Sequence, residues 1–60
     1  MNIHKKIVEI IKKEKVVSTS DIAKKINVSW NTSEKYLLEL VIEGKLEKIK
    51  KEGVNLWILK

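Results

Sequence analysis

Two helix starts separated by a short turn lie in residues 18–48, STSDIAKKINVSWNTSEKYLLELVIEGKLEK. The first start is a capping box, because Ser18 is followed three positions later by Asp21. The box is flanked, at the spacing of a hydrophobic staple, by Val17 and Ile22. These two signals agree, and together they predict a helix over residues 19–27.

The second start follows an interruption at Asn27, a residue type that tolerates the left-handed backbone of a tight turn. Ser29 can cap a third helix that runs to about Glu43, with Gly44 as the residue that ends it. Asn31 is also followed by a glutamate three positions later, so a start two residues further on is an open alternative.

The flanking segments complete a small domain. Four isoleucines at helical spacing predict an amphipathic helix over 3–14, and the β-branched run KVV at 15–17 is long enough for one brief strand. After the third helix the apolar period changes to two. LEKIK (46–50) and NLWIL (55–59) are strand-like, and the glycine in KEGV (51–54) suits a turn between them.

The composition indicates one globular domain with a basic surface. The 60 residues contain 13 lysines, no arginine and 8 acidic residues, which gives a net charge of +5. That balance favours a polyanionic partner, most often nucleic acid, although a thermophile's surface rich in Lys and Glu would look similar. The absence of cysteine excludes disulfides and thiolate metal sites, and one histidine cannot form a zinc site alone.

Other function classes find no support in the sequence. No apolar run approaches the roughly 20 residues that cross a membrane, and no signal peptide is found, so we expect a cytoplasmic protein. No nucleophile–base pair, trusted carboxylate pair or phosphate-binding glycine loop is present. We therefore expect no enzyme activity, cofactor, metal or small-molecule substrate.

Five short motifs follow one another along the chain: DIAKKI, NVS at the turn, NT early in the third helix, YLLEL, and EGKLEK before the hairpin. In this order they resemble the winged helix-turn-helix family of prokaryotic transcriptional regulators. The resemblance implies a mainly α domain over residues 1–60, with three helices, a C-terminal β-hairpin wing and a short strand before helix two. It also implies binding of double-stranded DNA, with the third helix in the major groove.

By position, the resemblance implies a DNA-binding surface built from three segments. The third helix supplies the groove-reading residues Ser29, Trp30, Asn31, Thr32 and Lys35. The wing, which grips phosphates or the minor groove, supplies Lys48, Lys50 and Lys51. The start of helix two, where free N–H groups attract a phosphate, supplies Ser18, Thr19 and Ser20.

The reading chemistry follows from two residues one helical turn apart. Asn31 can bond bidentately to adenine, and Lys35 can reach guanine or a phosphate. The alternative interpretation is that both are ordinary polar residues on a solvated helix face. Without arginine the chain cannot form the commonest guanine contact, since lysine acts as a hydrated point charge. We therefore expect strong salt dependence and modest sequence preference.

Two residues of the third helix depart from the simple pattern. Family members usually carry an apolar residue where this chain has Ser33, so we expect looser packing there or a hydroxyl bonded back to its own helix. Trp30 can face DNA, contacting a sugar, a thymine methyl or a phosphate, or it can fold over the helix junction and cover the gap at Ser33. The sequence leaves both alternatives open.

More apolar surface is present than one three-helix core needs. Trp57 is expected in the core beneath the wing, yet the last strand is apolar on both faces, and Val8, Leu38 and Ile42 point away from the main core stripe. A surrounded third helix would bury part of this surface. A homodimer through helix one or the last strand would cover it instead. The alternative function is a winged-helix protein-interaction module, or a small subunit of a larger complex.

Overall fold

Three helices and a three-stranded antiparallel sheet make up the fold in the computed structural model, which describes residues 2–60, so Met1 of the predicted domain lies outside the description. In chain order the elements are α1 (Ile3–Glu14), β1 (Val17–Ser18), α2 (Thr19–Ile26), α3 (Trp30–Ile42), β2 (Leu46–Lys51) and β3 (Val54–Leu59). The fold is mainly α with a small β part, and β2 and β3 form the wing. The predicted winged helix-turn-helix fold class is confirmed.

The start of α2 is the predicted capping box. The Ser18 hydroxyl accepts a hydrogen bond from the Asp21 N–H at 3.1 Å, and the Asp21 carboxylate accepts one from the Ser18 N–H at 3.0 Å. The helix ends at Ile26, one residue earlier than predicted, because Asn27 takes the left-handed conformation with φ 59°. The N–H of Asn27 then closes the helix on the carbonyl of Ala23.

The start of α3 decides between the two possible registers. The Ser29 hydroxyl accepts a hydrogen bond from the Thr32 N–H at 3.2 Å, so Ser29 is the cap and the later start at Asn31 is wrong. At the other end, the N–H of Gly44 donates to the Val41 carbonyl at 2.9 Å. Gly44 has φ 81°, the left-handed conformation that commonly ends a helix.

The short strand before α2 lies later than predicted. Residues 15–17 were expected to form it, but Lys15 has φ 76° and donates its N–H to the Ile11 carbonyl at 2.7 Å, which closes α1. Only Val17 and Ser18 pair with another strand, β3. The sheet order is β1-β3-β2, so the last strand in sequence is central in space.

Trp57 occupies the centre of the hydrophobic core, as predicted, with no exposed surface. The other buried members of this core come from all three helices and from β1 and β2: Ile7, Ile11, Val17, Ile22, Leu37, Leu40 and Leu46. Leu38 and Ile42 point away from the core, as expected, and are 39% and 85% exposed. The alternative in which the fold surrounds α3 is therefore wrong for these two residues. Within residues 2–60, no helix combines the length and apolar character that a membrane crossing requires.

The wing tip offers a test of the backbone geometry. Between the paired residues Lys51 and Val54, Glu52 and Gly53 have φ 51° and 80°, the sign pattern of a type I′ turn. Glutamate is disfavoured at positive φ, whereas asparagine tolerates it. Glu52→Asn should therefore raise the free energy of unfolding by about 0.5–1 kcal/mol, measured by urea denaturation. Glu47→Asn, within β2, should give no such gain; equal gains would contradict the turn assignment.

Candidate nucleic-acid interface

Three segments far apart in sequence meet around one cleft of about 320 Å³. They are the start of α2, the start of α3 and the tip of the wing. The cleft is lined by Ser18, Thr19, Ser20, Trp30, Lys50, Gly53, Val54 and Asn55. The first five of these residues were predicted from the sequence, and the three at the wing tip were not.

Trp30 forms one wall of the cleft and is 48% exposed. It is the first residue of α3, directly after the cap at Ser29, so its direction is set by the helix start. In the other alternative Trp30 would cover the position of Ser33, which is fully buried. The exposure of Trp30 and its place in the lining favour an indole that faces the cleft over one that folds over the helix junction.

Ser33 joins α3 to α2. Its hydroxyl donates a hydrogen bond to the Thr19 carbonyl at 2.9 Å, so the predicted bond back to its own helix is wrong. A larger apolar residue in this position would contribute only packing, whereas serine adds a polar link between the two helices. The link holds the N-terminal turns of α2 and α3 next to each other, directly below the cleft.

A polar network lies beneath the cleft, and Thr19 is at its centre. The Thr19 hydroxyl accepts a hydrogen bond from the Trp57 indole N–H at 2.9 Å and donates one to Glu34 at 2.8 Å. The other carboxylate oxygen of Glu34 accepts a hydrogen bond from the Asn55 amide at 3.1 Å. Thr19 is only 2% exposed, so its side chain supports the cleft from below. The prediction for Thr19 concerns the N–H groups at the start of α2, and Thr19 does lie in the lining of the cleft.

Lys48 differs from the other predicted wing lysines. Its ammonium lies 3.7 Å from a Glu34 carboxylate oxygen and 5.6 Å from the centroid of the Trp57 ring. Its charge is therefore partly matched inside the protein, on the side of the sheet that faces α3. Lys50 and Lys51 are both exposed, and Lys50 lines the cleft. The structure brings Lys50, more than Lys48, together with the predicted residues of α2 and α3.

The remaining predicted residues lie on α3 beside the cleft or serve as caps. Asn31 and Lys35 are exposed and extend the polar surface along the helix. The Ser29 hydroxyl donates to the Thr32 hydroxyl at 2.9 Å, so these two side chains stabilise the helix start. The Ser18 hydroxyl is likewise engaged as a cap, while Ser20 is exposed.

Sequence reasoning missed Glu34 and Asn55 as members of this site. Asn55 had a signal, since it is the single polar residue in the strand-like run NLWIL. Glu34 was considered only as part of a competing helix start, and nothing local shows that it reaches Thr19 and Asn55. Among residues 2–60, no group of three or more His, Asp or Glu side chains is arranged to hold a metal ion.

Comparison with known proteins places the chain in a family. Residues 1–56 match the family model described as "Bacterial protein of unknown function (DUF977)". The chain belongs to the DUF977 family. The DUF977 match includes the whole lining of the cleft, from Ser18 to Asn55. A search of curated proteins returns no match.

Proposed function

We propose that the protein is a winged helix-turn-helix protein that binds double-stranded DNA, as a transcriptional regulator or a small chromosomal factor. One observation carries the proposal: the start of α2, the start of α3 and the wing tip meet around one cleft, in a chain of net charge +5. A basic surface attracts the phosphates of a duplex. Such a protein would act in the cytoplasm, with the chromosome.

In this proposal α3 enters the major groove and reads base edges. Asn31 and Lys35 are exposed and lie one turn apart, so both can point into the groove from one side of the helix. The asparagine amide can bond bidentately to adenine, and the lysine can reach guanine or a phosphate. The major groove, about 12 Å wide, admits a helix with its side chains.

The residues around the cleft would hold the phosphate backbone. Lys50 and Lys51 are exposed on the wing, and the Trp30 indole beside Lys50 offers an N–H donor and an apolar face to a sugar. The first N–H groups of α2 favour an anion at the same place. Lys48 would contribute less, because Glu34 lies 3.7 Å from its ammonium.

A salt titration tests the proposal. Binding to a duplex of random sequence should weaken as salt rises, with a logarithmic slope of about 0.9 per phosphate contact. Lys35→Ala should lower that slope by about 1, or lower the preference for one sequence if the lysine reads guanine. Lys13→Ala, which removes the same charge from the last turn of α1, should change neither. Absence of binding at low salt would refute DNA binding altogether.

Asn31→Ala distinguishes recognition of the base edges from electrostatic attraction to the phosphates. An asparagine that reads adenine should lose sequence preference on substitution while the salt slope stays the same, since no charge is removed. Fluorescence anisotropy with two duplexes that differ at one base pair measures both quantities. If Asn31→Ala and Lys35→Ala both leave binding unchanged, α3 is not the reading element.

A second candidate function is a protein-interaction module, or a small subunit of a larger complex. The observation that favours it is the exposure of apolar side chains on α3, namely Leu38 at 39% and Ile42 at 85%. Apolar groups on one exposed helix face are typical of protein contacts. The salt titration distinguishes the two functions, because this module would bind duplex DNA weakly or not at all.

A further inference from the structure

The two faces of the wing have different surroundings. Side chains alternate along a strand, and Leu46, Lys48 and Trp57 lie on the face that contacts the core and α3. The intervening residues therefore share the opposite face, which we call the outer face. It consists of Glu47, Ile49 and Lys51 on β2 and of Val54, Leu56 and Ile58 on β3.

The outer face is apolar at its centre. Ile49 lies directly opposite Leu56 in the sheet, and Ile58 follows on the same side of β3. Among residues 2–60, Leu56 and Ile58 neither belong to the hydrophobic core nor pack against it. Ile49 is 40% exposed and Val54 is 48% exposed. Leu56 and Ile58 are half-buried, so these four apolar side chains are only partly covered in the monomer.

We propose that a second copy of the chain packs on this outer face, so that the protein is a homodimer with two stacked wings. Sheets that stack face to face lie about 10 Å apart, with strand directions within about 30° of each other. The four apolar side chains of each copy would fill the space between the two wings. This inference does not depend on DNA binding.

The charges on β2 indicate that the occupant is another copy. Glu47 and Lys51 lie on either side of Ile49 on the outer face, and the ion pairs among residues 2–60 include neither of them. Consider a two-fold axis that runs midway between the two sheets and perpendicular to β2, at the level of Ile49. This axis stacks β2 on the β2 strand of the second copy, with the two strands in opposite directions. Each Glu47 then meets the partner's Lys51, so the surface is complementary to itself.

Contact through a strand edge is disfavoured. β3 is paired with β2 along its length and with β1 at Leu56 and Trp57, so it has no long free edge. The free edge of β2 has the sequence LEKIKK, and such charged edges oppose strand addition. The predicted contact through the last strand therefore uses its outer side chains. The alternative through α1 has less to bury, since Ile7 and Ile11 are in the core and Val8 packs against it.

Molar mass in solution tests the dimer directly. Light scattering after gel filtration should give twice the 7.0 kDa mass of one chain. Ile49→Asp places a carboxylate at the centre of the contact. The variant should have the mass of one chain and should remain folded, with an unchanged helical circular dichroism spectrum. Ile42→Asp, the same change on an exposed site of α3, should leave the dimer intact. A parent protein that remains monomeric at millimolar concentration, or an Ile49→Asp dimer, would overturn the proposal.

A charge exchange tests the symmetry of the contact. Glu47→Lys and Lys51→Glu should each weaken the homodimer roughly three- to tenfold, because each places like charges together at two symmetric positions. Mixing the two variants should restore association, since one chain then has lysine at both positions and the other has glutamate at both. Sedimentation velocity of the mixture measures this recovery. A mixture that associates no better than the single variants would exclude the two-fold arrangement.

Discussion

Trp57→Ala should lower the free energy of unfolding by about 3–5 kcal/mol, a large part of the total stability of the domain. Trp57 has no exposed surface and contacts the core between the helices and the wing. Truncating a buried tryptophan to alanine costs about 3–5 kcal/mol, from lost burial and from the cavity that remains. A domain of 60 residues has a total stability of only about 3–9 kcal/mol. Circular dichroism and urea denaturation measure the loss.

The second tryptophan is the matched control. Trp30 is 48% exposed at the wall of the cleft, so Trp30→Ala removes a residue of the same type without opening a cavity in the core. We expect a loss of about 1 kcal/mol or less, as for surface substitutions generally. Equal losses for Trp30→Ala and Trp57→Ala would mean that Trp30 packs as a core residue and does not face the cleft.

Thr19→Val should destabilise the protein by about 1–3 kcal/mol, although valine has almost the same shape as threonine. The Thr19 hydroxyl is the acceptor for the buried Trp57 indole N–H and the donor to Glu34. Valine leaves the indole N–H without a partner in the core and removes one hydrogen bond from a carboxylate. A buried donor without an acceptor retains the full cost of its desolvation. Urea denaturation of the variant measures this cost.

Thr32→Val is the control for this change. The Thr32 hydroxyl bonds only to the Ser29 hydroxyl at 2.9 Å, at the exposed start of α3. Its loss should change the free energy of unfolding by about 0.5 kcal/mol or less, because water can replace the bond. If Thr19→Val and Thr32→Val have the same effect, the network beneath the cleft does not stabilise the fold.

The helices were predictable to within one or two residues because local contacts set their ends. The capping box of Ser18 and Asp21 forms between residues three positions apart, and Asn27 ends α2 through its own backbone conformation. Such signals need no knowledge of the rest of the chain. The strand at β1 was less predictable, because Val17 and Ser18 are a strand only by pairing with β3.

The polar network beneath the cleft was not predictable from the sequence. Its hydrogen bonds join Thr19 to Glu34 and Trp57, which are 15 and 38 positions away. No periodicity or motif encodes such contacts, since they depend on how α2, α3 and the wing pack together. The resemblance placed Thr19 in the binding surface through the N–H groups of α2, but nothing in the sequence shows that its side chain also bonds to α3 and the wing. The two apolar faces of β3 were visible in the sequence, but the β2 residues that share the outer face follow from the register of the two strands.

The two tryptophans also give the protein two indole chromophores in opposite environments. Trp57 is shielded from water and bonded through its N–H, whereas Trp30 is in contact with solvent at the cleft. The chain has no other tryptophan and only one tyrosine, so its near-ultraviolet emission comes mainly from these two groups. A water-soluble quencher reaches Trp30 alone while the chain is folded. The emission therefore contains one component that reports the integrity of the core and another that reports occupancy of the cleft.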